Sequence, residues 1–424
     1  MSQQAAPFLV KLVRMADGER LPVLVVRATG LPDFDATLWV VSSLRNKNLA
    51  SETIAQALRS VAVLYLALQF RKVNLSERLR TGNILSLAEV EAISKMCRQT
   101  VAASVKYLED DVDLNDQKVN KVSSLEKFRM ARAKRPRGGS VSAGTTAIRL
   151  GYIREYLKWR VNNVIARAEN EKKANLLALR NLIDDELQNK TPAVTERANE
   201  GRRMGLGRQT QERLLRIIAP TDLQNPWTGK GIRLRNQFIV FAILALGVRR
   251  GELLGLRVGD FNSQTREVLI LRRPDDEDDP RLNEPNTKTR DRVLPVSYPL
   301  HVLLKAYLMV RHELVRGKHD FLIVTNSGAP MSKSELNRIF STLNEYFSEK
   351  ISPHVLRHTF FDNLAEDLSR ANKSDVEINN ILTQLGGWSE TSDSPRRYTK
   401  RFSQERAAEA ALALQEKLNI PDIS

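Results

Sequence analysis

Cysteine occurs once in this chain, at Cys97, which excludes an internal disulfide framework and any zinc site built from several thiolates. Five histidines and one isolated acidic loop offer no convincing metal site in their place. Long apolar stretches are missing too. The longest run, Phe238 to Val248, is eleven residues, where a bilayer-spanning helix needs about 20. Phe8-Leu9-Val10 is cut short by Lys11, unlike the apolar core of a secretory leader. Negative charge is also in short supply: 66 Lys+Arg face 50 Asp+Glu, a net +16 over 424 residues. An excess of that size points to a polyanion, and without a membrane segment the polyanion expected is nucleic acid. The expectation is a cytoplasmic protein that needs no cofactor and joins the nucleoid when bound to DNA.

The length allows two or three domains, each with its own core. Phe8 to Val13 and Pro22 to Val26 read as strands of a hairpin, within an extension over 1–32. From Asp35 the apolar period becomes helical. Ile54, Leu58, Val61, Tyr65 and Leu68 share a helix face, and Ser86 with Glu89 forms a capping box. Lys118 to Arg137 holds eight Lys/Arg against one Glu, then Gly138-Gly139-Ser140. Lys127, Arg129, Arg132, Lys134, Arg135 and Arg137 are its candidate phosphate contacts, although such a run is more often a solvated face. Ile148, Tyr152, Tyr156 and Trp159 have the spacing of a buried helix face. A helical region is expected over 33–190, then a basic linker over 191–208 with Pro192, Arg202, Arg203 and Arg208 suited to lie across a phosphate backbone.

The second half reads as helices with a small sheet. Glu267 to Leu271 and Asp291 to Val296 are strands flanking the acidic loop Asp275 to Asp279, whose consecutive positions suit a solvated loop better than a metal site. Ser352 and Pro353 mark a helix start, so His354, Arg357 and His358 project from one face at i, i+3 and i+4. A first turn also offers N–H groups and a positive dipole end to a phosphate. Leu385-Gly386-Gly387-Trp388 and then Arg396-Arg397-Tyr398-Thr399 follow. Upstream lie Gly247-Val248-Arg249-Arg250-Gly251-Glu252-Leu253 and Thr287-Lys288-Thr289.

In this order these islands resemble the tyrosine recombinase (phage integrase) family, over about Gly205 to Phe402. The resemblance implies a mostly α fold with a small antiparallel β-sheet in the catalytic domain (α+β), arranged as a two-domain DNA clamp. It makes 33–190 the core-binding domain, 209–402 the catalytic domain and 403–424 a C-terminal helix exchanged between subunits. It makes Tyr398 the nucleophile, Arg249 and Arg357 the phosphate clamps, Lys288 the general acid and His354 an acid/base partner. Trp388 would shape the phosphate site, Glu252 would orient Arg249, and His358 would be a supporting structural histidine. Arg250 competes with Arg249, and Arg290 and Arg292 compete with Lys288. Tyr398 lies ten positions after Trp388 where nine is common in the family, so Ser392 to Pro395 reads as a loop that stops a helix before Tyr398.

The implied function is site-specific cleavage and rejoining of duplex DNA through a 3′-phosphotyrosyl link, integrating or excising a mobile element. A phenol with a pKa of about 10 needs a base or a cationic field to attack at neutral pH. Two guanidiniums and a Lys can disperse transition-state charge without metal or ATP. The partners implied are a DNA site with inverted half-sites, a homo-tetramer on two such sites, and accessory DNA-bending or directionality factors. A DNA-binding protein of the same fold without chemistry and a chromosome- or plasmid-dimer resolvase are the alternatives.

Overall fold

The computed structural model describes residues 6–106, 139–193, 204–285 and 290–417. The chain divides into two compact units, Met1–Met15 with Arg20–Thr195 and Ala16–Glu19 with Glu196–Ser424.

The first unit opens on an antiparallel hairpin, β1 (Phe8–Arg14) and β2 (Arg20–Val26), in register from Phe8↔Val26 to Arg14↔Arg20. Helices follow: α1 (Phe34–Trp39), a π-turn over Val40–Arg45, α2 (Ser51–Phe70), α3 (Leu75–Arg80), α4 (Leu87–Cys97), α5 (Ala143–Ile165) and α6 (Asn170–Asn189). The capping box at Ser86 forms, with Glu89 Oε2 accepting from Ser86 N at 2.7 Å. By length and composition alone α2 could cross a membrane, but Ile54, Leu58, Val61, Leu64 and Leu68 are buried in this unit's core. The aromatic stripe divides. Tyr156 is fully buried, Tyr152 and Trp159 lie partly buried at the edge of the core, and Ile148 is exposed. Tyr65 donates to Asp33 at 3.0 Å, so the Tyr156 hydroxyl 2.6 Å away donates to Tyr65 in turn.

In the second unit α7 (Arg208–Ile217) leads to α8 (Lys230–Leu246), whose apolar residues form the centre of the core. Then come α9 (Arg250–Gly255) and a three-stranded antiparallel sheet of β3 (Phe261–Asn262), β4 (Glu267–Ile270) and β5 (Arg292–Pro295) in the order β3-β4-β5. Alternation buries Val268 and Ile270 on β4, and Arg292 and Leu294 on β5. An arginine thus occupies an inward position. Phe321 to Val324 forms isolated bridges with Arg257 and Pro330 instead of a strand. The remaining helices are α10 (Tyr298–Val315), α11 (Lys333–Asn344), α12 (Pro353–Arg370), α13 (Asp375–Gly386) and α14 (Arg396–Glu416).

The acidic loop is not merely solvated. Arg257 holds Asp276 at 2.6 Å and Arg281 holds Asp279 at 2.7 Å. Both guanidiniums lie over the Phe321 ring, at 4.6 and 4.7 Å, so the aromatic ring supports two ion pairs. Pro395 likewise starts a helix: it is the N-terminal cap of α14, and Tyr398 falls in that helix's first turn.

Candidate active site

The N-terminal turn of α12 is fixed by Ser352, whose Oγ accepts from Val355 N at 3.3 Å. Helical spacing then puts His354, Arg357, His358 and Phe361 on neighbouring positions of one face. They differ in depth. His354 is exposed, His358 is half-buried, and Arg357 is buried.

The C-terminal end of α13 meets this face. A helix's last carbonyls have no partner within the helix and carry its negative dipole end. Here three of them are taken by the arginine-rich elements. Leu385 O accepts from Arg292 Nε at 2.8 Å, and Gly387 O accepts from the Arg290 amide at 3.2 Å. Gly386 O accepts from both Arg249 Nη1 at 3.1 Å and Arg357 Nη2 at 3.0 Å. Arg357 also donates to Gly247 O, at the end of α8. Glycine is needed at this terminus: Gly387 has φ of +63°, and a Cβ there would lie 2.7 Å from Arg292 Nη1.

Beneath the arginines lies Glu252, whose side chain is fully buried. Its carboxylate accepts from Arg292 Nη1 and Nη2 at 3.1 and 2.8 Å, and from the Arg249 amide at 2.8 Å. Arg249 Nη1 lies 3.4 Å and Arg357 Nη1 3.9 Å from it. One carboxylate thus serves three guanidiniums, and the cluster retains net positive charge. Burial lowers the pKa values of both Arg357 and Arg249, and Glu252 opposes that in each case. Guanidiniums nevertheless stay charged at neutral pH. Trp388 forms a wall, with Arg357 over its ring at 4.9 Å and Arg249 at 5.8 Å.

Tyr398 enters from α14. It is buried, with its ring 5.4 Å from Phe361 and 6.0 Å from Trp388. Its hydroxyl is 2.7 Å from His358 Nδ1, and His358 Nε2 is 2.8 Å from His354 Nε2. Burial raises the phenol's pKa above its ordinary value, Arg357 and Arg249 pull it back, and Asp362 adds to the rise. Burial pushes His358 down to about 4, with His354, Arg357 and Arg397 acting in the same direction. His354 is lowered too, by burial and then by Arg357, Arg249 and Arg397.

The structure therefore brings together Arg249, Glu252, His354, Arg357, His358, Trp388 and Tyr398. Arg250 faces elsewhere, donating to Asn337 on α11 at 2.9 Å. Arg292 is committed to Glu252 as a buried support. Lys288 lies outside the described residues, as do Lys127, Arg129, Arg132, Lys134, Arg135, Arg137, Arg202 and Arg203. Arg208 is exposed and sits 3.4 Å from Glu366. Among the described residues no group of three or more His, Cys, Asp or Glu could hold a metal ion.

Two supporting residues escaped the sequence reading. Asp362 Oδ2 accepts from the amides of Met204 and Gly205 at 3.0 and 2.6 Å, and Thr359 Oγ1 accepts from Leu206 N at 2.9 Å. This strap lies so close to α12 that a Cβ on Gly205 would stand 2.3 Å from Thr359 Cα. It braces the helix that carries both histidines. Nothing local in the sequence pairs residues more than 150 positions apart.

Residues 210–405 match the phage integrase family. The chain is similar to a tyrosine recombinase XerD of Proteus mirabilis, 28% identical over 162 residues, covering 36% of this chain and 47% of the relative. It is similar to the transposase from transposon Tn916 of Enterococcus faecalis, 29% identical over 197 residues, covering 42% of this chain and 48% of that protein. The chain thus spans about half the length of the curated relatives it matches. Among solved structures, XerH site-specific recombinase bound to difH substrate is 16% identical with a TM-score of 0.44, over 82% of this chain and 96% of that one.

Proposed function

Because residues 210–405 belong to the phage integrase family, we propose that this protein is a site-specific tyrosine recombinase acting on duplex DNA. Tyr398 Oη attacks a backbone phosphorus, the P–O5′ bond breaks, and the strand's 3′ end is held as a phosphotyrosyl ester. A 5′-hydroxyl from the same or another strand reverses the step. Arg249 and Arg357 clamp the two non-bridging oxygens, and Trp388 walls the pocket. Lys288 protonates the leaving 5′-oxygen, and His354 takes part in proton transfer.

One observation carries this reading: Arg249 and Arg357 share the Gly386 carbonyl while Tyr398, His358 and His354 form a hydrogen-bonded row beside them. A phosphate there would meet two guanidiniums beyond what the single buried Glu252 neutralises. The net charge of +16 suits a DNA partner. Integration or excision of a mobile element is favoured by the basic N-terminal half and by the relative named as the Tn916 transposase. The first unit then serves as the core-binding domain, the second as the catalytic domain, and the assembly is a tetramer on two sites with accessory factors.

The test is a nicked substrate that loses its 5′-hydroxyl fragment after cleavage and so traps the adduct. The wild-type protein is expected to yield a covalent protein–DNA species stable to denaturation. Tyr398→Phe is expected to bind the same half-site with unchanged affinity and yield none. An adduct of wild-type yield from that variant removes Tyr398 as nucleophile. No adduct from the wild-type protein leaves the reading of a DNA-binding protein without chemistry.

A further inference from the structure

We propose that His358 is the base that takes the Tyr398 proton, and that His354 is the exit through which the proton reaches solvent. This deepens the reading of Tyr398 as the nucleophile and rests on it. Tyr398 is buried, and its hydroxyl lies 2.7 Å from His358 Nδ1. For Nδ1 to accept the phenol's hydrogen, the His358 ring must carry its own hydrogen on Nε2. That nitrogen lies 2.8 Å from His354 Nε2, which must then accept, so His354 carries its hydrogen on Nδ1. One tautomer on each ring therefore makes a continuous donor–acceptor row from the buried phenol to an exposed imidazole.

The row moves a proton without moving an atom of the backbone. As Oη–P forms and P–O5′ breaks, the phenol hydrogen passes to His358 Nδ1, and the hydrogen on His358 Nε2 passes to His354 Nε2. The 5′-oxygen takes its proton from the Lys288 ammonium. The positive charge ends on His354. That outcome is favoured by depth: Arg357 and Arg397 disfavour a cation on either ring, Arg249 adds to this at His354, and His358 is the more deeply placed. Asp362 on α12 is the acidic group near the phenol. An exposed imidazolium is solvated, whereas a half-buried one among arginines is not. Rejoining runs the row backwards, returning the hydrogen to the phenolate as the 5′-hydroxyl attacks.

The assay compares cleavage of an ordinary nicked substrate with one carrying a bridging 5′-phosphorothiolate, whose sulfur leaves without being protonated. Lys288→Ala is expected to be slow on the first and restored on the second. His358→Asn is expected to be about 10²-fold slow on both, with a rate that climbs steadily with pH as hydroxide replaces the lost base. His354→Asn is expected to fall between, because the His358 cation is then trapped. Half-site binding and the unfolding midpoint report whether each variant is folded. The proposal is overturned if His358→Asn cleaves either substrate within about threefold of wild type, or if sulfur restores it. Should that variant not fold, His354→Asn decides: an unchanged rate and pH profile overturn the relay. No adduct from the wild-type protein on either substrate defeats the nucleophile reading itself.

Discussion

At the scale of single residues, the site is set by unequal charge. Glu252 accepts its shortest guanidinium hydrogen bonds from Arg292, with Arg249 Nη1 farther off at 3.4 Å and Arg357 Nη1 at 3.9 Å. Arg249 and Arg357 are left leaning on backbone carbonyls, which hold a guanidinium in place without neutralising it. The histidines answer the same field. His358 has a folded-state pKa depressed to about 4, below the ordinary imidazole value near 6.5. Between those values the unfolded chain binds more protons than the folded one, so stability should fall as pH drops from about 6.5 towards 4. Urea unfolding across that range should show the slope, and His358→Gln should flatten it. A variant that keeps the full slope would assign it to other groups. The letters His354, Arg357 and His358 were legible because a helix start and a spacing of three and four residues put them on one face. The depth of each was not. Only the packing of α13 and α14 decides which ring is exposed and which touches Tyr398. Arg292 shows the same limit: its sequence neighbourhood offered it as a rival to Lys288, and its inward register on β5 turned it into a support.

At the scale of elements, the end of α13 is where three parts of the second unit meet. Its carbonyls receive Arg249 from the start of α9, Arg357 from α12, and Arg290 and Arg292 from β5 and the residues before it. This arrangement was hidden from the sequence, since a backbone carbonyl has no letter and the Gly-Gly pair entered only as part of the Leu385–Trp388 island. What the pair provides is a left-handed residue and room for a guanidinium. Gly387→Ala should therefore cost about 1–3 kcal/mol of stability from backbone strain and displace Arg292 from Glu252. The displacement should reach Arg249 and Arg357 through the shared carboxylate. Denaturation at pH 7 measures the first effect, and adduct formation at saturating DNA measures the second. A variant that loses stability while cleaving at the wild-type rate would show that the carbonyl cluster is scaffold alone. The strap at Met204–Leu206 belongs at this scale too. The sequence marked it as the end of a linker, whereas its amides are bound to Thr359 and Asp362 on α12.

At the scale of the whole molecule, the helix that carries Tyr398, the proposed nucleophile, also carries the tail. The resemblance implied a C-terminal helix over 403–424. Instead α14 runs unbroken from Arg396 to Glu416, with Tyr398 in its first turn. Residues 407–417 are exposed, Leu412 and Leu414 among them at 57% and 65%. Leu412 and Leu414 face different sides of the helix, but Ala407, Ala411 and Leu414 share one side, an exposed apolar ridge that invites a partner. At 1.5 Å per residue the ridge at Leu414 stands about 24 Å along the helix from Tyr398. Under the proposed function, strand exchange needs cleavages made in order, so active sites would have to sense their neighbours. If a second copy holds this ridge in a ring-closing, head-to-tail contact, it also sets the angle of the helix that presents the phenol. The free protein is then expected to be monomeric or weakly associated, becoming tetrameric on two DNA sites. Deleting residues 407–424 should leave half-site binding intact while abolishing cooperative filling of the full site. It should also change cleavage, because the helix loses its distant anchor. A gel-shift titration on one full site followed by a recombination assay measures both. Cooperative filling and normal recombination by the truncated protein would mean that the coupling between active sites runs through other surfaces.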